Sequence, residues 1–223
     1  MSATATTPAA EAYPAYLAAV LAGDRRRAFH AVDAALAAGA GLGDVYLLVF
    51  QPALREIGRR WQENTITVAD EHLATAITQA AMARAFERRF TWREGEGRAL
   101  LAACTDRERH EVGLRMICDL LELAGWDTTF LGASVPAESL VAMVRTRRPD
   151  VVALSATIAP HLPRLRTLIA ALRAELGDET PLVLVGGRPF LEDPSLAQRL
   201  GADLTADDAG QAVALLQQRF ARP

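Results

Sequence analysis

Glu108 and His110 lie two residues apart, where an apolar run (residues 99–104) gives way to a helix-like segment. An imidazole in such a loop can act as a base, a hydrogen-bond donor or a metal ligand, and a nearby carboxylate can hold its second nitrogen and fix the tautomer. Gly113 follows three residues later and lets another group approach the backbone closely. Taken alone, the pattern favours a surface histidine and a packing glycine, because Glu-x-His-x-x-Gly arises easily by chance.

The second half of the chain determines where these residues would lie. Five short runs, ALLAAC, TTFLG, VVALSA, PLVLVGG and ADLTA, are rich in strand-forming residues and alternate with helical segments. This alternation predicts an α/β fold with a five-stranded parallel sheet of the Rossmann or flavodoxin type. Ligands of such sheets bind beyond the carboxyl ends of the strands, and residues 108–113 follow the first strand at that edge.

The first half of the chain has a helical period instead. Apolar residues recur at helical spacing from Glu11 to Phe90, with three breaks rich in Gly, Asp and Asn. Four helices with short connections predict an antiparallel four-helix bundle. We expect residues 1–10 to be disordered, residues 11–92 to form the bundle, TWREGEG to act as a linker, and residues 97–223 to form the α/β domain.

Composition and charge exclude several functions. A net charge of -3 and a pI near 5.8 do not favour binding of nucleic acid. Residues 25–27 are all arginine and fit a helix face that is exposed to solvent. No apolar run reaches the ~20 residues of a membrane span, so we expect no membrane contact. Cys104 and Cys118 lie in apolar contexts outside any paired motif, which favours two buried thiols in a reducing cytoplasm.

Three motifs occur in order after the first, third and fourth predicted strands. They are the segment from Glu108 to Gly113, then Ser155-Ala156-Thr157, then Gly186-Gly187. Together they resemble the pattern Asp/Glu-x-His-x-x-Gly, Ser-x-Leu/Thr and Gly-Gly of the cobalamin-binding domain in methionine synthase, methylmalonyl-type mutases and cobalamin-dependent regulators. The resemblance runs from about Arg98 to the end of the sequence, and three placed motifs are far more specific than one.

The resemblance implies a role for each motif. His110 would ligate cobalt from the lower face in place of the cofactor's own dimethylbenzimidazole, and Glu108 would tune the imidazole through its second nitrogen. The displaced nucleotide tail would enter the edge of the sheet, where small and hydroxyl-bearing residues leave room and supply hydrogen bonds. The residues implied in this role are Gly113, Ser155, Thr157, Gly186 and Gly187.

The segment WQENTITVADEH crosses a break between two predicted helices. Trp61 precedes Glu71 and His72 by ten and eleven residues, so these side chains can lie at one end of the bundle. The segment resembles the bundle of light-sensing, adenosylcobalamin-dependent transcriptional regulators, in which a Trp followed by Val-Ala-x-Glu-His covers the upper axial group. The resemblance implies that Trp61 shields the cobalt–carbon bond, that Val68 and Ala69 belong to the cap, and that Glu71 and His72 contact the adenosyl group. Alone, Trp61 fits a core position equally well.

Two features depart from those regulators. They commonly carry a His directly after the capping Trp, which can bind cobalt once light has removed the adenosyl group, whereas this sequence has Gln62. A bis-histidine product state at that position is therefore in doubt, and His72 would be the substitute. The sequence also has no helix-turn-helix segment before the bundle, so we expect any role in transcription to act through a partner or a relative with a fused domain and not by direct binding of nucleic acid.

These observations favour a cytoplasmic cobalamin photoreceptor or sensor without turnover. Adenosylcobalamin is the favoured form, with methylcobalamin and hydroxocobalamin as alternatives, and the output would be self-association or altered affinity for a transcription regulator. A corrinoid carrier that shuttles methyl groups between methyltransferases would fit the same two domains, although carriers generally lack the cap. The small subunit of a radical mutase is a third alternative, usually without a bundle. We expect His30 and His161 to lie outside the site.

Overall fold

The computed structural model describes residues 7–91 and 97–221 of the 223-residue chain. It divides into two compact units, Met1–Thr91 and Trp92–Pro223. The first unit is helical, and the second is built on a parallel sheet. Most of the predicted linker lies outside the described residues.

The first helix begins earlier than expected. Thr7 caps it, because the N–H of Ala10 donates to Thr7 Oγ1 at 3.3 Å, and Pro8 occupies the first turn, where a missing N–H costs nothing. Ala9 is fully buried. The prediction of disorder is therefore wrong for residues 8–10, since a capped and buried helix start holds them in place, and for residues 1–6 it lies outside the described residues.

The helical unit consists of four helices over residues 7–91, as predicted. The third helix runs without a break, but its middle, Tyr46–Phe50, is π-helical and not α-helical. Tyr46 and Phe50 are fully buried, and their ring centroids lie 5.6 Å apart. The elements are α1 (Pro8–Leu21), α2 (Arg25–Ala37), α3 (Leu42–Val45), the π-turn, α4 (Gln51–Gln62) and α5 (Val68–Arg89).

Two buried hydroxyl groups in the bundle core satisfy each other. Tyr16 Oη donates to Thr78 Oγ1 at 2.9 Å, and Thr78 Oγ1 donates to the carbonyl oxygen of Ala74 at 2.8 Å. Burial raises the pKa of the Tyr16 hydroxyl above its ordinary range. These hydrogen bonds join α1 to α5, and they satisfy the hydroxyl groups of both Tyr16 and Thr78.

The second unit is the predicted α/β fold. Its five strands are all parallel, and their order β2-β1-β3-β4-β5 is that of flavodoxin-like sheets. The strands are β1 (Ala99–Thr105), β2 (Asp127–Val135), β3 (Val151–Ser155), β4 (Leu182–Gly186) and β5 (Leu204–Thr205). The order places β1 and β3 side by side, so the segments that follow them meet at one edge.

Helices cover both faces of this sheet. On one face, buried residues of β1, β3 and β4 pack against α7 (Ala137–Arg147) and α8 (Leu162–Leu176). On the other face they pack against α6 (Val112–Leu123) and α11 (Ala209–Arg219). The alternation of side chains along each strand divides one sheet between two cores.

The connection between β4 and β5 contains two short helices that we did not predict. They are α9 (Arg188–Glu192), in which Phe190 is buried, and α10 (Leu196–Arg199). Their few residues are too short for a helical period to appear in the sequence. No helix in the described part of the chain is long and apolar enough to cross a bilayer.

Candidate functional site

The loop between β1 and α6 is held by backbone hydrogen bonds. The N–H of Glu108 donates to the carbonyl of Thr105 at 2.9 Å, and the N–H of Ser134 donates to the carbonyl of Glu108 at 2.9 Å. Arg107, with a left-handed φ of 67°, donates its N–H to Ser134 Oγ at 2.9 Å. These bonds tie the loop to the end of β2, and the Glu108 side chain is fully buried there.

Each oxygen of the Glu108 carboxylate contacts one backbone N–H and one imidazole. Oε1 accepts the N–H of His110 at 2.9 Å and lies 2.5 Å from His110 Nδ1. Oε2 accepts the N–H of Thr157 at 2.6 Å and lies 2.9 Å from His161 Nδ1. An ionised carboxylate has about four acceptor positions, and four nitrogens occupy them here.

Two opposing effects act on the pKa of Glu108. Burial raises the pKa of the carboxyl group, whereas hydrogen bonds from His110, His161 and Thr157 lower it. The hydrogen bonds prevail and hold the pKa well below its ordinary value. Glu108 is therefore ionised at neutral pH, and both imidazoles donate to it from Nδ1.

His110 has the tautomer that a metal ligand needs. Its side chain is 52% exposed, although the carboxylate beside it is buried. When Nδ1 carries the hydrogen that Glu108 accepts, a neutral imidazole has its lone pair on Nε2. This arrangement fits the predicted division of roles, in which one ring nitrogen binds cobalt and the other binds a carboxylate.

The structure brings His161 into this cluster, contrary to our expectation that it lies outside the site. His161 ends a 3₁₀ turn over Ala159–His161, directly before α8, and its side chain is only 12% exposed. One signal in the sequence could have found it: like Glu108, it follows a strand that ends at the carboxyl edge. The pairing itself spans 53 residues, so no local pattern reveals it.

The second and third motifs meet at adjacent strand ends. Ser155 is paired with Cys104 of β1 on one side and with Gly186 of β4 on the other. The N–H of Ala156 donates to the carbonyl of Gly186 at 3.1 Å. The small and hydroxyl-bearing residues that we predicted to share one edge therefore do so.

The backbone conformation at position 187 requires glycine. It has a φ of 121°, and a Cβ there would lie 2.2 Å from the carbonyl oxygen of Ala156 and 3.3 Å from Cα of Thr157. No larger residue fits without displacing the segment after β3. Because Thr157 also donates its N–H to Glu108, Gly187 supports the segment that holds the carboxylate.

Gly113 differs from Gly187, because the described residues leave room for a side chain there. It lies in the first turn of α6, and a Cβ there would meet no atom within 4 Å. The absence of a side chain therefore leaves open space next to the His110 loop. Such a space can admit part of a ligand close to the backbone.

The predicted cap residues lie where α4 ends and α5 begins. Trp61 is 43% exposed and Val68 is 51% exposed. Glu71 Oε2 lies 2.5 Å from His72 Nδ1, and Glu71 Oε1 accepts a hydrogen bond from Thr75 at 2.9 Å. This end of the bundle therefore presents apolar surface together with a carboxylate–imidazole pair.

Leu73 adds to this apolar surface, although the sequence had not singled it out. Its side chain is 49% exposed, and its Cδ2 lies 2.9 Å from where a Cβ on Gly23 would be. Gly23, in the turn between α1 and α2, thus lets that turn approach α5. Three large apolar residues are exposed at this end of the bundle: Trp61, Val68 and Leu73. Such a group indicates a surface that binds a ligand or another protein.

Comparison with known families shows which family the chain belongs to. A family model of the B12 binding domain matches residues 98–215, and a second model, also of a B12 binding domain, matches residues 14–85. The chain belongs to the B12-binding domain family. The resemblance that we inferred from three motifs is thereby confirmed.

Relatives of two kinds occur within the B12-binding family. The chain is 33% identical over 184 residues to the HTH-type transcriptional repressor CarH of Myxococcus xanthus, a match that covers 82% of this chain and 60% of CarH. It is 30% identical over 112 residues to dimethylamine corrinoid protein 1 of Methanosarcina acetivorans, covering 50% of this chain and 52% of that protein. The chain thus spans between half and 60% of the length of these relatives.

A solved structure shares the fold of this B12-binding chain. It is the monomethylamine corrinoid protein of Methanosarcina barkeri, with a TM-score of 0.82 over 94% of this chain and 99% of that one. At 17% identity, this likeness concerns the fold alone. Helices followed by a five-stranded parallel sheet are therefore an architecture that a corrinoid protein also has.

The residues at the carboxyl edge fit the group that the family name implies. A cobalt ligand needs an imidazole with its lone pair on Nε2, and Glu108 holds His110 in that tautomer. A cofactor tail needs room next to the backbone, and Gly113 leaves such room. Ser155 adds a hydroxyl group between the ends of β1 and β4.

Proposed function

We propose that this B12-binding protein is a cytoplasmic sensor of light that uses adenosylcobalamin. The observation that carries the proposal is the end of the bundle, where exposed Trp61 lies in the motif that also supplies the Glu71–His72 pair. Similarity to the repressor CarH over 82% of the chain supports the same conclusion. Buried core packing would not leave a Trp 43% exposed beside other apolar side chains.

In this proposal, residues of the α/β unit hold the lower part of the cofactor. His110 would bind cobalt through Nε2, and Glu108 would keep its ring oriented from Nδ1. The nucleotide tail would be held at the carboxyl edge of the sheet. The residues for this role are Gly113, Ser155, Thr157, Gly186 and Gly187.

Residues of the bundle would cover the upper part. The indole of Trp61 and the side chain of Val68 would exclude water from the upper axial group, whereas Glu71 and His72 would bind its polar atoms. When bound, adenosylcobalamin supplies a cobalt–carbon bond that visible light breaks. The bundle would then lose the group that its apolar end covers.

A signal requires that two conformations of the protein bind the two cofactor states with different affinity. The exposed apolar end of the bundle would supply this difference in affinity. It would be covered by the upper axial group while that group is present, and exposed to water after the group is lost. We propose that its uncovering changes self-association or the affinity for a transcription regulator. No direct contact with nucleic acid is part of this proposal.

A corrinoid carrier in a methyltransferase system is the second candidate. It is favoured by the similarity to dimethylamine corrinoid protein 1 and by Gln62, which replaces the second histidine expected of the light-sensing regulators. A carrier must open its upper face to partner enzymes. The exposed Trp61 end of the bundle would then serve as a docking surface and not as a cap.

The visible absorption spectrum distinguishes the two candidates. The protein is reconstituted with adenosylcobalamin in darkness and recorded before and after a brief exposure to green light, with free adenosylcobalamin as the control. A stable dark form that converts to a different protein-bound form, with a change in elution on size exclusion, supports the sensor. Retention of methylcobalamin but not adenosylcobalamin supports the carrier, and failure to bind any cobalamin overturns both.

A further inference from the structure

A groove of about 630 Å³ runs between α1 and α2 in the helical unit. None of the residues that we assign to cobalamin binding lines it. We propose that this groove is an interface between two copies of the chain, in which each copy lays one helix of its α1–α2 hairpin into the groove of the other. The inference depends neither on cobalamin binding nor on the choice between sensor and carrier.

Small side chains form most of the wall of this groove. Eight of its lining residues are alanines, and those on α1, Ala12, Ala15, Ala18 and Ala19, share one face of that helix. Exposed alanines are common on helices, because alanine has the highest helix propensity. Here, however, the alanines border an open groove on two neighbouring helices, so a third helix can approach to about 8 Å, the short end of the usual range.

The groove has the length of a short helix. Along α2 it extends from Arg27 to Ala38, which is about 16 Å at ~1.5 Å per residue. A helix of about three turns fills that length. The hairpin of a second copy supplies such a helix, since α2 has 13 residues and carries the same small side chains on its outer face.

Residues of opposite charge lie at opposite ends of the groove. Glu11 lies in the first turn of α1 and Arg27 in the first turn of α2, and these helices run in opposite directions because only residues 22–24 join them. A two-fold axis at right angles to the helices exchanges the two ends. It therefore places Glu11 of each copy opposite Arg27 of the other, whereas an axis parallel to the helices would bring like charges together.

Both side chains can take part in such a contact. Glu11 is exposed and forms no ion pair with another residue in the described part of the chain. The side chain of Arg27 is 82% exposed, and its Nε lies 3.5 Å from Oδ2 of Asp24. An ion pair this exposed contributes little, so it does not hold Arg27 away from a second copy.

The size of the groove limits the strength of the dimer. The groove has 12 lining residues, whereas a standard stable interface uses about 20–30 residues on each side. The dimer should therefore be weak, and its fraction should rise with protein concentration.

Sedimentation velocity of the full-length, cofactor-free protein measures self-association over a wide range of concentration. Glu11→Arg and Arg27→Glu each bring like charges together twice in the two-fold dimer, and the double variant restores opposite charges. Ala34→Gln places a larger neutral side chain in the groove. Glu87→Arg and Ala83→Gln, at exposed positions of α5, are the matched controls.

We expect the wild type to form a weak dimer. Each charge variant and Ala34→Gln should weaken dimerisation by about tenfold, because the two-fold axis repeats every change. The double variant should recover the dimer, and both controls should match the wild type. Circular dichroism checks that each variant keeps its helices, and if Ala34→Gln does not fold, recovery in the double variant still tests the interface.

Three results would overturn the proposal. The wild type could remain monomeric at every concentration, a wild-type dimer could be unaffected by the groove variants, or the double variant could fail to recover the dimer. If the wild type is monomeric and removal of residues 1–6 produces the dimer, that segment occupies the groove in place of a second copy. Cobalamin binding is unaffected by any of these results, so the proposed function is tested separately.

Discussion

Nδ1 of His110 lies 2.5 Å from Oε1 of Glu108, and the carboxylate is fully buried whereas the ring is half exposed. A buried charge fixes the orientation of a ring that remains accessible to a ligand. The arrangement is costly unless the carboxylate is fully hydrogen-bonded. The N–H groups of His110 and Thr157 and the ring of His161 meet that requirement.

His110→Ala should abolish the imidazole-ligated spectrum and weaken cobalamin binding by about tenfold or more, because the lower ligand is lost. Visible absorption and equilibrium dialysis measure the two effects. His30→Ala, on α2, is the matched control and should change neither. An unaltered spectrum and affinity in His110→Ala would mean that His110 is not the ligand.

Glu108→Gln should lower the free energy of unfolding of the cofactor-free protein by about 1–3 kcal/mol, because an amide NH₂ would face donors that now face an oxygen. The low pKa of Glu108 also contributes stability that is present above about pH 4.5 and is lost as the pH falls below it. The variant should therefore lose less stability than wild type between neutral pH and pH 3. Urea denaturation at both pH values tests this, with exposed Glu138→Gln as the control.

Two glycines should respond in opposite ways to the same substitution. Gly187→Ala should destabilise the protein by about 1–3 kcal/mol or more, because its backbone conformation is nearly restricted to glycine and its Cβ would overlap Ala156. Gly113→Ala should leave stability unchanged or slightly higher but weaken cobalamin binding, because its Cβ would enter open space. Thermal denaturation and dialysis separate the effects, and equal affinity in Gly113→Ala would exclude a close approach of the cofactor there.

Trp61→Ala should reduce stability by less than the about 3–5 kcal/mol that removal of a core aromatic costs, because Trp61 is 43% exposed. If Trp61 caps the upper group, the variant should retain adenosylcobalamin less tightly than methylcobalamin. Binding titrations with both cofactors test this, with Leu48→Ala as a control, since Leu48 is similarly exposed at 39%. An equal loss for both cofactors would argue against a cap.

Both cysteine thiols should be unreactive in the folded protein. Burial raises the pKa of Cys104 and of Cys118 from an ordinary value of 9.0 to about 12. A thiol reagent at pH 8 should therefore label both only after urea is added. Because the folded pKa values are raised, the stability they contribute is complete below about pH 9 and is lost as the pH rises toward 12. Rapid labelling of the native protein would contradict their burial.

Much of the fold was visible in local patterns. Five strand-like runs alternating with helices predicted the parallel sheet, and the helical spacing of apolar residues predicted the four helices of the first unit. The short helices α9 and α10 escaped notice because they hold too few residues for a period. The early start of α1 was not predicted, because its cap, Thr7, lies among several Thr and Ala residues and nothing in the sequence distinguishes it from them.

The sequence by itself determined the family, since three motifs after the correct strands are enough to place Glu108, His110 and Gly187 at one edge of the sheet. Only the tertiary structure decided that His161 shares the carboxylate of Glu108. The reason is that β1 and β3 lie side by side in the sheet, although their residues are far apart in the chain. A hydrogen bond across 53 residues depends on that strand order, which local periodicity does not contain.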